Sequence, residues 1–204
     1  MSLRKIFLFL AVAAFAAATA QAQFGVYGTF TASKLSGIKT SPEATTPGAV
    51  NNDVSPLGGG GGIYYDFLKL GPVKLGADLR GTIATTKRGA YINANGGGAR
   101  VNSALGGVRV VFNAPVLHRV LRPYVQGSAG IGNTNYGLLY GSDGVKTKTN
   151  FEYMGFAGVD IPLLPIMDFR LVEFGIGDLN PFGDKSHNYP LQTVSTGVVF
   201  HFPF

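Results

Sequence analysis

Leu191-Gln192-Thr193-Val194-Ser195-Thr196-Gly197-Val198-Val199-Phe200-His201-Phe202-Pro203-Phe204 is the stretch that decides the fold. From Thr196 onward every second residue is apolar or aromatic: Val198, Phe200, Phe202 and Phe204. Gly197, Val199, His201 and Pro203 lie between them. Successive side chains of a strand point to opposite faces, so one face carries three aromatics in a row. A soluble protein seldom ends on such a stripe. The outer wall of a transmembrane β-barrel requires one, because it touches lipid.

The same two-residue period recurs upstream. Eight strands are predicted, at about Phe24–Lys34, Gly59–Leu70, Val73–Thr86, Val101–Asn113, Arg122–Gly132, Asn150–Ile161, Met167–Gly177 and the C-terminal stretch. The third is the cleanest: Val73, Leu75, Ala77, Leu79, Gly81 and Ile83 alternate with Lys74, Gly76, Asp78, Arg80, Thr82 and Ala84. The seventh is the least clean, since Arg170 and Glu173 fall on opposite faces unless a bulge intervenes; its facing stays open. Most strands reach the roughly 9–11 residues that cross a hydrocarbon layer when tilted. Long connections (about 35–58, 87–100, 133–149 and 178–190) alternate with short ones near Gly71-Pro72, 114–121 and 162–165. That alternation predicts an eight-stranded antiparallel up-and-down transmembrane β-barrel with both termini in the periplasm.

The N-terminal end reads as a secretory leader. Arg4 and Lys5 form a charged start, Ile6 to about Ala18 is apolar, and Ala20-Gln21-Ala22 is a small-residue cleavage site. The expected organisation is a signal peptide over residues 1–22 and a barrel domain over 23–204. The apolar run is short for a retained membrane helix of about 20 residues. No Cys follows the cleavage site, so a lipoprotein anchor is not expected. Cysteine is absent throughout, which removes disulfides, thiolate metal sites and thiol nucleophiles. The formal charge is +6. Loss of Arg4 and Lys5 leaves fifteen basic against eleven acidic residues, a balance of +4. So mild an excess does not suggest nucleic acid as a partner.

The alternation must also choose between two barrels. A secreted lipocalin-like barrel keeps its apolar face inside, around a ligand. The terminal aromatic stripe and the loop alternation favour the opposite facing. Asp66, Lys74, Asp78, Arg80, Arg109, Glu152 and Asp160 then crowd a lumen just wide enough for side chains to fill. Opposite charges on neighbouring strands are expected to pair, giving a salt-bridged plug in preference to a polar solute track.

Conventional chemistry is weakly signalled. Gly58 to Gly62 lacks the Lys-Ser/Thr and the helix of a phosphate loop, and reads as a loop end or strand entrance. His118, His187 and His201 are too dispersed for a metal site. Ser186-His187 is the only Ser–His neighbour, and strand neighbours point apart. No catalytic, cofactor or metal site is expected. Recognition is expected in the long loops. Lys87, Arg88 and Arg100, with no acid among them, are candidates to meet lipopolysaccharide phosphates, although three charges are few and better suit an ordinary solvated loop.

Two resemblances sharpen this reading. Ser195 to Phe202 resembles the C-terminal signal recognised by the bacterial outer-membrane assembly machinery, with Gly197, Phe200, Phe202 and a terminal Phe204 at its key positions. The mature chain also resembles the outer-membrane barrels related to the OmpA transmembrane domain and small porin-like proteins. The carrying segments are this signal, Arg122 to Gly132 and Phe156 to Asp160. The resemblance implies outer-membrane lipid, lipopolysaccharide and the assembly machinery as partners. It leaves three roles open: a non-enzymatic surface protein for envelope integrity or adhesion, a narrow channel, and a lipid-modifying enzyme. Pro203 departs from the pattern, since it cannot donate to a ladder, and is expected to end pairing at Phe202. No peptidoglycan-binding domain is expected after the barrel.

Overall fold

The computed structural model describes residues 23–38, 52–86, 99–113, 120–137, 145–182 and 188–203. The leader, His118, Ser186, His187, Phe204 and much of the long connections lie outside the described residues. Among the described residues nine strands are formed: β1 (Gln23–Ile38), β2 (Asn52–Val54), β3 (Leu57–Leu70), β4 (Val73–Thr85), β5 (Ala99–Phe112), β6 (Arg122–Gly137), β7 (Val145–Leu164), β8 (Met167–Pro181) and β9 (Tyr189–Pro203). Each long strand pairs antiparallel with its sequence neighbour, and β9 returns to pair with β1. Eight strands therefore close a barrel. The unanticipated β2 is a three-residue strand that pairs with the far end of β1, Leu35 opposite Val54. It is too short to carry a period.

Closure needs tilted strands and a fixed stagger. Register partners followed once round the wall run Gln23, Asp66, Gly76, Arg109, Gln126, Phe156, Gly175, Thr193 and back to Ser33 on β1, ten residues on. The β1–β9 seam runs from Leu35↔Leu191 to Gln23↔Pro203. Pairing thus extends past Phe202, contrary to the expectation from Pro203. Proline still supplies a carbonyl, and an end position tolerates its missing N–H.

The facing follows from the alternation. Phe30, Leu79, Ile83, Ile131, Phe174, Phe200 and Phe202 are exposed on the outer wall, whereas Asp78, Arg109, Glu152 and Asp160 are buried inside. A ligand-enclosing barrel with an apolar interior and a charged exterior is thereby excluded. The eight barrel strands, from 13 residues in β4 to 20 in β7, exceed the roughly 9–11 needed to cross a bilayer, so they project beyond it.

Three irregularities re-aim the interior. On β8 the register with β9 shifts between Arg170 and Glu173. This bulge puts both residues inside, with Leu171 half exposed between them. It settles the facing left open in the sequence. The register also shifts near Asp66 and near Asp160. The β3–β4 turn is Gly71-Pro72, where Gly71 has φ 58°, a left-handed value that glycine adopts without strain. Gly58 to Gly62 form part of β3 itself.

Inward glycines seat inward tyrosines. A Cβ on Gly25, Gly62 or Gly158 would collide with the ring of Tyr64, Tyr27 or Tyr124 respectively. A lumen this narrow cannot place two large side chains side by side, so each ring lies over a bare stretch of backbone.

Candidate functional site

The lumen is the only region where charged side chains converge among the described residues, and Arg80 is its key. Arg80 lies on β4 and Glu173 on β8, four strands apart in either direction round the ring. The guanidinium crosses the lumen and forks onto that carboxylate, Nη1 to Oε1 at 2.9 Å and Nη2 to Oε2 at 3.0 Å. Two-pronged pairing of this kind fixes geometry as well as charge. Arg80 Nε also approaches Asp78 at 3.4 Å, and the guanidinium stacks over Phe156 with its carbon 3.8 Å from the ring centre.

A second web adjoins the first. Asp160 accepts from Arg109 Nη2 at 3.0 Å and from Arg170 Nε at 3.0 Å. Arg170 Nη1 reaches Glu173 at 3.3 Å, which joins the two webs. Tyr124 donates to Glu173 at 2.6 Å, Tyr27 to Asp78 at 2.9 Å and Gln126 to Asp78 at 2.7 Å. Arg109 is sandwiched between Tyr64 and Tyr124, 4.4 Å from each ring centre. Its Nε and Nη1 have no hydrogen-bond partner, and the two ring faces supply their electrostatic contact.

At the short-turn end, Asp168 accepts from Arg122 at 2.6 Å and contacts His201 Nε2 at 2.6 Å. His201 Nδ1 bonds the Tyr64 hydroxyl, and Lys74 donates to Gln23 at 2.6 Å. Toward the opposite end the interior turns apolar, with Leu35, Val101, Leu105, Leu179, Tyr189 and Leu191 buried in one cluster.

Of the candidate lumen charges, Asp78, Arg80, Arg109 and Asp160 are joined in the central web. Asp66 and Lys74 lie inward near the short-turn end, outside that web, and Asp66 Oδ1 has no hydrogen-bond partner. Glu152 stands apart on the long-loop side. Pairs between neighbouring strands are the minority. Arg80–Glu173 and Arg109–Asp160 join strands that are not adjacent, because a narrow lumen makes opposite walls near neighbours.

Sequence reading missed Arg122, Asp168, Arg170, Glu173 and His201 as lumen groups. His201 and Arg122 were legible from strand parity, whereas Arg170 and Glu173 needed the bulge. Asp66, Asp78, Glu152, Asp160, Asp168 and Glu173 face inward, as do Lys74, Arg80, Arg109, Arg122 and Arg170.

Gly197, Phe200 and Phe202 lie on the seam strand β9. Phe200 and Phe202 face outward, and Phe202 packs against Phe24 across the seam at 6.2 Å between ring centres. A side chain on Gly197 would meet the backbone of Gly28 and Thr29, so the seam admits only glycine there. Arg100 is exposed at the long-loop end of β5, whereas Lys87 and Arg88 lie outside the described residues. Among the described residues no group of three or more His, Asp or Glu gathers to hold a metal ion.

The family model of the outer membrane protein beta-barrel domain matches residues 6–202. The chain belongs to that family. This outer-membrane barrel is similar in fold to Neisserial surface protein A, NspA, at 14% identity and TM-score 0.56, covering 88% of this chain and 97% of that one. It is likewise similar to Ail, the attachment invasion locus protein of Yersinia pestis, solved in complex with the heparin analogue sucrose octasulfate. That match has 14% identity and TM-score 0.53, and covers 89% of this chain and 99% of that one. Identities this low speak for the fold alone. No curated protein matches the sequence. Family and fold together put the barrel in the bacterial outer membrane, with its apolar wall against lipid.

Proposed function

We propose that this outer-membrane barrel is a closed, non-enzymatic anchor whose long outer loops serve envelope integrity or surface contact. The observation that carries this reading is the Arg80–Glu173 pair, which spans the lumen from wall to wall and is locked to Asp78, Arg170 and Asp160. A solute would have to part several buried ion pairs at once, and breaking one such pair costs about 3–5 kcal/mol. Tyrosines and glycines fill what the charges leave.

The remaining elements fit the same scheme. Cleavage after Ala22 releases a mature chain from Gln23, the residue at which β1 begins. The short turns face the periplasm together with both termini, and the long loops face outward. There Lys87, Arg88 and Arg100 meet lipopolysaccharide phosphates. Gly197, Phe200, Phe202 and Phe204 present the barrel to the assembly machinery.

The deciding test is conductance of the purified, folded protein in planar bilayers. The expected result is silence in the native protein, with steps appearing in Arg80→Ala. Regular single-channel steps in the native protein, altered by Asp78→Ala or Arg109→Ala, would overturn closure and establish the narrow-channel alternative.

A further inference from the structure

Between the central ion-pair web and the apolar cluster lies a chamber that the anchor reading does not use. Its volume is about 30 Å³, and Thr31, Thr82, Ser103, Glu152, Thr193 and Ser195 line it. That is room for about two water-sized guests. Glu152 is its only carboxylate, and the residue is 1% exposed. The Ser103 hydroxyl bonds this carboxylate, yet Oε2 has no hydrogen-bond partner. Thr193 Oγ1, also buried, lacks one too. Gly132 makes space for the group, since a Cβ there would collide with Glu152 Oε2.

The nearest cation on the chamber wall is committed elsewhere: Arg80 forks onto Glu173 and stacks on Phe156. A lone ionised carboxylate cannot stay uncompensated in such a place; it must gain a proton or a counter-charge. Asp66, which also makes no ion pair, has Arg109 and Lys74 nearby; among the residues whose side chains are described, Glu152 has only the Ser103 hydroxyl beside it.

We infer that this chamber binds one monovalent metal cation, of sodium or potassium size, between the Glu152 carboxylate and the hydroxyls of Ser103 and Thr193. Hard oxygen donors suit such an ion. A single carboxylate balances a single positive charge, which favours a monovalent over a divalent ion in so enclosed a place. The ion sits above the web as a fixed internal counter-charge, whether or not the barrel conducts.

The test is crystals of the folded protein soaked in thallium(I) or rubidium salt, together with thermal unfolding in detergent. The expected result is anomalous density in the chamber beside Glu152. A roughly hundredfold rise in sodium, at ionic strength held constant with N-methylglucamine, should raise the unfolding midpoint of the native protein. Glu152→Gln should remove both effects. Should Glu152→Gln fail to fold, Ser103→Ala with Thr193→Val keeps the carboxylate and should weaken the sodium dependence roughly tenfold. An empty chamber in the soaked crystal, or equal sodium dependence in native and variant proteins, would mean that the carboxylate carries a proton and would overturn the site.

Discussion

Asp160→Asn is the sharpest probe of the central web. Asp160 is 1% exposed and accepts from two guanidiniums, Arg109 Nη2 and Arg170 Nε, each at 3.0 Å. The amide keeps the shape and removes the charge. Arg170 retains Glu173 at 3.3 Å, but Arg109 loses its only carboxylate within ion-pair distance among the described residues. Removing one partner of a buried pair costs about 3–5 kcal/mol, because the other charge is left uncompensated. Stacking of Arg109 between Tyr64 and Tyr124 offsets part of this, at about 2 kcal/mol for a desolvated contact. The net expectation is a loss of about 1–3 kcal/mol. Urea unfolding of the protein in detergent measures it; the chain has no Trp, so far-UV circular dichroism is the suitable signal. Asp160→Leu with Arg109→Leu removes both charges and should lose distinctly less than Asp160→Asn alone. A single-variant loss under about 1 kcal/mol, or a double variant no better than the single, would show that the web does not hold the lumen by paired charge.

Two further outcomes follow from the wall. Leu79, 59% exposed midway along β4, should cost about 2–4 kcal/mol as Leu79→Arg in bilayers, against at most about 1 kcal/mol for Leu70→Arg at the strand end; equal costs would contradict a lipid-facing band. Gly158→Ala drives its Cβ into the Tyr124 ring and should cost about 1–3 kcal/mol in urea unfolding. That cost should largely vanish in a Tyr124→Leu background, and additive losses would show that the glycine is not there to seat the ring.

The barrel was legible because lipid imposes a uniform demand on one face. In β4 every outward residue from Val73 to Ile83 is apolar or glycine, and no inward one is a large hydrophobe. The lumen imposes no such uniformity. Its long-loop half is lined by Val101, Leu105, Leu179 and Leu191, which a polarity pattern cannot distinguish from outward residues. β8 was illegible for another reason. Its alternation breaks at the bulge, and only pairing with β9 reveals that Arg170 and Glu173 share a side. The partners in the web could not be read at all. Parity says which residues face in; which arginine meets which acid depends on the ten-residue stagger, a property of the closed ring and not of any one strand.

The seam joins the first and last strands, from Leu35↔Leu191 to Gln23↔Pro203. Every intermediate strand can find its sequence neighbour early, but β1 must wait for a partner more than 150 residues further along the chain. Until β9 docks, the growing sheet has two raw edges, and hydrocarbon offers their N–H and C=O groups nothing to bond. Insertion is therefore all-or-none: a chain cut short by a single terminal strand is not a slightly weaker barrel but an open ribbon with no stable place in the membrane. The non-local closure makes the last step slow, and it makes β9 the natural checkpoint for whether a whole chain has arrived.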